Sequence, residues 1–307
     1  MSSTRNRWPL AALFAVTIWG ASFVATKQAL GPEGARAFTP AGLVALRFLM
    51  GGGVLLVVQL VRRGPLLPEA RDRGRVLLLG AILGTHIGLQ TWGLSFTLAT
   101  HASWIVCFTS VTIALAAHFF LGQRLRAVGW LGVALAAGGV LAVTAGHAPA
   151  AAPRAGFGDL LQLTGCLTWA TYTLLGARPV QSSGSLRVTT WATLTAGVLL
   201  LGVASVTGVG RAHGALQVAA LVYLGLFSSA AAFLAWYHAQ ALYGSQRTAA
   251  TLYVEPFVTA VVAAFVDEPL VLATVLAGVV VLVGVWLVQR GAAPLPAPAG
   301  APASETG

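Results

Sequence analysis

Charge is what this chain most lacks. Only 8% of its 307 residues are Asp, Glu, Lys or Arg, and eight of those are acidic, against 57% that are hydrophobic. A soluble fold of this length needs far more polar surface, and no stretch is polar enough to hold a large catalytic domain. Cysteine is equally scarce. Cys107 and Cys166 both fall inside apolar runs, where packing is the expected role, and they form no CxxC pair. The sequence also lacks HExxH and a Gly-rich nucleotide loop followed by Lys, and Gly51-Gly52-Gly53 lies within an apolar run with no phosphate-binding context. These absences argue against an enzyme, an ATP-driven machine, a bound metal or any other cofactor.

What is abundant is apolar sequence in lengths of about twenty residues, the length a helix needs to cross a hydrocarbon core of about 30 Å. Ten such stretches are read: Trp8 to Ala29, Thr39 to Leu60, Arg75 to Leu98, His101 to Leu121 and Ala127 to Ala145, then Gly158 to Ala177, Leu186 to Gly208, Ala215 to Leu242, Gln246 to Val266 and Leu270 to Gln289. The expected fold class is an all-α integral membrane protein with ten transmembrane helices. Residues 1–145 form one five-helix unit and 158–290 another, joined by an Ala/Pro-rich linker over 146–157. An Ala/Pro/Gly tail over 291–307 is expected to be disordered. The first span is too long for the apolar core of a cleavable signal peptide.

A formal charge of +10 would suggest a nucleic-acid partner in a soluble protein, but the basic residues alternate by side. With the N-terminus inside, Arg5, Arg7, Arg62, Arg63, Arg71, Arg73, Arg75, Arg124, Arg126, Arg178, Arg187, Arg247 and Arg290 are cytoplasmic. Lys27, Arg36, Arg154 and Arg211 are outside, and Arg47 is within a span. That is the positive-inside pattern. It predicts a multi-pass protein of the plasma (cytoplasmic) membrane with both termini cytoplasmic, partnered by the lipid bilayer and not by nucleic acid.

The two groups of spans resemble one another. Trp19 aligns with Trp169, Gly53-Val54-Leu55 with Gly197-Val198-Leu199, and Gly132 and Gly138 with Gly278 and Gly284. Because each unit has an odd number of spans, the second copy enters from the opposite side, giving two inverted five-helix repeats. Inverted copies can exchange shapes, which opens the molecule to one side and then the other, so the pattern predicts alternating access.

Trp19-Gly20-Ala21-Ser22-Phe23 with Lys27, Pro40, Arg47-Phe48, Glu255-Pro256, and Asp267-Glu268-Pro269-Leu270 before a Gly-rich last span resemble the drug/metabolite transporter superfamily, in particular its EamA-type members. The resemblance covers nearly the whole chain. It implies a ten-helix fold and export of amino acids or related small metabolites. Two positions depart from the family pattern, which often has a proline midway along the fourth span and a Glu at its end. Thr109-Ser110-Val111 and Gln123 stand there, whereas the second copy keeps Pro256 and Glu268.

Several residues are candidates for the transport site. An acid in mid-span costs about 2.5 to 3.5 kcal/mol on insertion scales and is a functional hypothesis by default. Glu255 is such an acid, and Thr248, Thr251 and Thr259 share its helix face. Glu255 is therefore a candidate both for substrate binding and for loading and releasing a proton, or else a structural carboxyl paired with an Arg or a hydroxyl. Pro256 frees a carbonyl one turn earlier and is the candidate hinge. Arg47 either holds a substrate carboxylate, pairs with Glu255 or anchors helices, the family resemblance favouring the anchor. Trp19 and Ser22 in the first span and His86 and Gln90 in the third lie on polar faces. Trp169, Tyr172, Trp236 and Tyr253 form a candidate aromatic wall. Ser103, Cys107, Ser110 and His118 make a polar face of the fourth span. Lys27 is expected to snorkel to the interface, and Trp8, Trp104 and Trp130 to join the interfacial belt. The small residues from Gly132 to Gly139 and near Gly278 permit close helix contact, within the subunit or in a homodimer.

The expected function is a secondary transporter exporting a small metabolite, an amino acid or a related compound, with proton coupling through Glu255. The alternatives are a membrane channel and a ligand-sensing membrane protein without net transport.

Overall fold

The computed structural model describes residues 10–32, 35–146, 152–266, 268 and 271–292. The expected tail over 291–307 lies almost wholly outside them, as do Trp8 and residues 147–151 of the linker. Among the described residues the chain is helical, with two isolated antiparallel bridges and no sheet. The α-helices are α1 (Leu10–Leu30), α2 (Pro40–Val61), α3 (Arg73–Gly93), α4 (Ala99–Val106), α5 (Thr109–Leu121), α6 (Ala127–Ala145), α7 (Ala152–Ser183), α8 (Ser185–Thr207), α9 (Ala215–Tyr223), α10 (Ala232–Tyr243), α11 (Ser245–Ala249), α12 (Glu255–Ala264) and α13 (Leu272–Gly291).

Eight helical segments are long and apolar enough to cross a membrane: α1, α2, residues 70–93, 99–120, α6, α8, residues 215–243, and α13. The expected sixth and ninth spans are not among these. The sixth is a 32-residue helix, α7, that starts six residues before Gly158 and runs past Ala177 through Pro179. Asp159, Gln162, Thr164, Thr168, Thr171 and Thr173 thin out its apolar character. Its start at Ala152 also shortens the expected linker. The ninth is broken into α11, a 3₁₀ turn over Ala250–Val254, and α12.

The breaks have local causes. Pro256 cannot donate to the Leu252 carbonyl one turn earlier, and that carbonyl accepts instead from the Glu255 amide, closing the 3₁₀ turn, and from the Cys107 thiol at 3.7 Å. The Ser110 hydroxyl reaches the Ala249 carbonyl at 3.4 Å. These donors sit where the fourth span is itself interrupted, between α4 and α5 at Cys107 and Phe108, with no proline present. The eighth span widens to a π-helix over Leu224–Ala231, between α9 and α10.

Packing is antiparallel and close. Along α2 and α8, the Thr39 hydroxyl donates to the Gly208 carbonyl and the Gln59 amide to Thr190, so the start of one helix lies beside the end of the other. The bridge between Phe38 and Gly210 closes that end. Helices α6 and α13 meet backbone to backbone: a Cβ on Gly132 would fall 2.4 Å from the Gly284 carbonyl, and one on Gly139 2.8 Å from Val281. The expected close helix contact therefore forms within the subunit. Helices α3 and α7 run alongside in opposite senses, from Asp72 held by Ser182 and Ser183 to Gly93 against Gly158. Helix α1 runs through the middle, against α10 and α12. A single residue, Gly184 with φ +84°, reverses the chain between α7 and α8.

The molecule has two unlike ends. The bends around residues 62–72, 122–126, 184 and 244, with Ala292 bridged to Leu125, gather Arg62, Arg63, Arg71, Arg73, Arg124, Arg126, Arg187 and Arg290 at one of them. The other carries Lys27, Arg36 and Arg211. There the Lys27 ammonium is bonded to the Thr97 carbonyl at 2.9 Å and lies 3.8 Å from Glu268. Lys27 is thus tied to the protein instead of snorkelling. Trp104, expected in the interfacial belt, is 2% exposed and packs against Phe257 and Gly278, because Gly278 leaves room for its indole. Trp130 is exposed.

Candidate functional site

Between α1, α2, α3, α4, α7, the π-helix and the α11–α12 break lies a cavity of about 30 Å³. That volume is room for about two water molecules. Seven of the ten expected binding residues line it: Trp19, Ser22, Arg47, His86, Gln90, Trp169 and Glu255. Each is carried there by a different local device.

Glu255 is the first residue of α12, so the 3₁₀ turn and Pro256 place it at the end of an unwound stretch. It is 3% exposed, and its Oε2 has no hydrogen-bond partner. A buried, unpartnered carboxylate oxygen is costly and calls for an explanation. Arg47 does not relieve it. The Arg47 Nε donates to the Ser229 hydroxyl at 2.9 Å and its Nη2 to the Ser228 hydroxyl at 2.6 Å, and no ion pair joins Arg47 to Glu255 among the described residues. Both serines lie in the π-helix, whose wider turn presents neighbouring side chains to one guanidinium. Arg47 thereby fastens α2 to the eighth span while still facing the cavity.

The aromatic wall forms around Trp19. Its indole donates to the Ser228 carbonyl at 3.1 Å, and its ring meets Trp169 edge-on at 5.2 Å and Phe233 at 5.0 Å. His86 stands 5.1 Å from Trp169, with its Nδ1 donating to the Gly165 carbonyl at 3.0 Å, which leaves Nε2 as the acceptor of the neutral ring. The Trp169 Nε1, like Glu255 Oε2, is buried without a partner. Ser22 spends its proton on the Trp19 carbonyl.

Tyr172 and Trp236 are not in the lining. Both are fully buried behind it, Tyr172 stacked on Trp169 at 5.3 Å and Trp236 within 5.5 Å of both cavity tryptophans. Tyr253 is elsewhere, packed on the cluster of Trp104, Val281 and Val285. It lies two residues from Glu255 on the 3₁₀ turn, so the two side chains diverge. Ser228, Phe233, Phe23, Ile87, Val106 and Leu252 line the cavity and were not expected. The adjacent Ser228-Ser229 in an apolar run was the available signal for the first of them.

A helical bundle that buries charged and polar groups around a central cavity while exposing Leu, Val and Phe side chains on its flanks is the build of a multi-pass membrane protein. The model of the EamA-like transporter family matches it twice, over residues 6–145 and 156–290. The chain belongs to that family. It is 32% identical to a probable terminal-alkyne amino-acid exporter of Streptantibioticus cattleyicolor, across 94% of this chain and 95% of that one. It is 28% identical to an uncharacterized transporter of Archaeoglobus fulgidus, across 88% and 93%. A crystal structure covering 91% of this chain and 94% of its own superposes with a TM-score of 0.66 at 20% identity, a likeness of fold alone.

Proposed function

We propose that this chain is a secondary transporter of the plasma membrane that exports a small zwitterionic metabolite of amino-acid type by alternating access. Its architecture is ten spans in two inverted repeats, 1–145 and 158–290, with both termini cytoplasmic. Three features support the inversion. Helices α2 and α8, equivalent under the duplication, are antiparallel, as are α6 and α13. The aligned tryptophans Trp19 and Trp169 touch each other, as residues beside a two-fold axis do. The family model matches the chain once in each half.

The unpartnered Oε2 of the Glu255 carboxyl, on a residue that lines the cavity, carries the reading. In this scheme Glu255 takes the substrate ammonium in one phase of the cycle and a proton in the other. Arg47 and His86 bound the opposite wall, Trp19 and Trp169 cover the apolar part, Gln90 and Ser22 line the remainder, and Tyr172 and Trp236 brace the tryptophans. Pro256 and the 3₁₀ turn form the hinge. The name of the Streptantibioticus relative, an amino-acid exporter, agrees with this class of cargo.

The test compares metabolites in the medium of cells overexpressing the wild type and Glu255→Gln. Wild type is expected to raise one or a few amino-acid-like compounds outside, and Glu255→Gln to abolish the rise at equal expression. The reconstituted wild type should then move protons when that compound is added, and the variant should not. No external accumulation with the wild type overturns export, and binding without net movement points to a sensor. Flux without trans-stimulation by unlabelled compound points to a channel.

A further inference from the structure

At the basic end a second cavity, of about 720 Å³, opens between the start of α1, the end of α2, the α7–α8 turn and α10. Its walls differ in character. Ala231, Leu234 and Ala235 make an apolar side, while Arg62 and Arg187 supply two guanidiniums to the other. Neither arginine is ion-paired among the described residues, and no acid lines the cavity. The nearby acids are already engaged, Asp72 by the hydroxyls of Ser182 and Ser183 and Glu69 by Arg71 at 2.8 Å.

Two further features point to a ligand. Helix α8 begins in the cavity wall with Gly184 before it and no side chain capping its first amides, so the positive end of the helix faces this space. Gln59 also lines the cavity at 2% exposure. Its amide donates to Thr190 while its Oε1 is buried without any partner. An anion answers the first feature, and a hydrogen-bond donor answers the second. Beside the cavity, Leu10, Leu60 and Val61 are exposed, so its apolar side continues into the lipid-facing surface.

We propose that this cavity seats an anionic phospholipid whose headgroup carries a hydroxyl. The phosphodiester lies on Arg62, Arg187 and the first amides of α8, the headgroup hydroxyl donates to Gln59 Oε1, and the acyl chains run along Leu234 and Ala231. A soluble phosphate would leave the apolar side and the exposed leucines unanswered. The site is separate from the central cavity and does not depend on the chain being an exporter.

The test uses the purified full chain in neutral detergent, with lipid binding followed by native mass spectrometry. Phosphatidylglycerol is expected to bind, phosphatidylcholine to bind at least tenfold more weakly, and inorganic phosphate not to displace the lipid. Arg62→Gln with Arg187→Gln is expected to weaken phosphatidylglycerol about thirtyfold, two basic contacts' worth. Arg124→Gln with Arg126→Gln, the same charge change at the same end, should leave it within threefold. Equal loss in both pairs, equal binding of phosphatidylcholine, or displacement by phosphate overturns the proposal. If the first pair does not fold, Leu234→Trp, which fills the apolar side and leaves every charge in place, must weaken phosphatidylglycerol instead, and unchanged affinity there overturns it too.

Discussion

Arg47 offers the sharpest quantitative prediction, because its two roles, anchor and substrate ligand, separate on removal of its partners. Its guanidinium is 2% exposed and bonded to Ser228 and Ser229 at 2.6 and 2.9 Å. A hydrogen bond to a charged group contributes about 1.5 to 3 kcal/mol, and stranding a buried charge costs about 3 to 5. Neutral bonds between membrane helices average only about 0.6 kcal/mol. Charge therefore decides the size of the effect, and Ser228→Ala with Ser229→Ala should destabilise by about 3 kcal/mol, more than a hundredfold in the open population. The thiols of Cys107 and Cys166, both fully buried, report it directly. Maleimide labelling in detergent should speed up by that factor, with a matching fall in thermal midpoint. Adding Arg47→Met to the serine pair removes the stranded charge and should restore most of the lost stability. If the serine pair changes labelling less than threefold, Arg47 is not held as described. If the triple variant recovers stability and still exports, Arg47 is an anchor only, whereas recovery without export makes it a ligand.

Four other outcomes are expected. Gly132→Val should separate α6 from α13, since even a Cβ there falls 2.4 Å from the Gly284 carbonyl. A cost of about 2 kcal/mol or more is expected in the same labelling assay. Gly20→Ala drives a methyl to 2.7 Å from the Glu255 carbonyl and Val258. It should cut transport severalfold with little loss of thermal midpoint, and unchanged transport would show that the approach of α1 to α12 is not part of the cycle. Glu268→Gln removes the carboxylate that accepts from the Ala99 and Thr100 amides and the Thr100 hydroxyl beside Lys27, and should lower stability by about 1 to 2 kcal/mol. Salt should not mask that loss, because the amide bonds persist at high ionic strength. Cys107→Ser keeps a second donor for the Leu252 carbonyl and should match wild type in thermal midpoint, while Cys107→Val leaves that carbonyl to the Glu255 amide alone and should lower the midpoint only slightly.

Eight of the ten expected spans were legible because an apolar run of bilayer length folds as helix whatever its neighbours, and Arg47 and Glu255 because a charged group in such a run must turn inward. The departures from regular helix were only half legible. Pro256 announced the break in the ninth span, but the break between α4 and α5 has no proline and is held by hydrogen bonds from Cys107 and Ser110 to carbonyls 139 to 145 residues away. No local pattern encodes that. The π-helix is similar: Leu224–Ala231 reads as ordinary apolar helix, and its widening goes with the two bonds to Arg47 and the close seat of Gly51 on Gly225. Trp104 and Lys27 were misread for the same reason, each being an amphipathic side chain whose partner, Gly278 or Glu268, lies far along the sequence. Tyr253 was grouped with the other aromatics by residue type alone, whereas two residues from Glu255 it turns to the Trp104 cluster.

The edge-on meeting of Trp19 with Trp169 has a consequence for how cargo size is set. With space for only a pair of waters beside them, the indoles act like closed jaws, and nothing as large as an amino acid sits there until they part. Under the alternating access proposed above, the upper limit on what passes is fixed by the stroke of the two halves and not by any standing pocket. A stiff planar molecule slipped between the rings would prop the jaws and stall the machine in mid-stride.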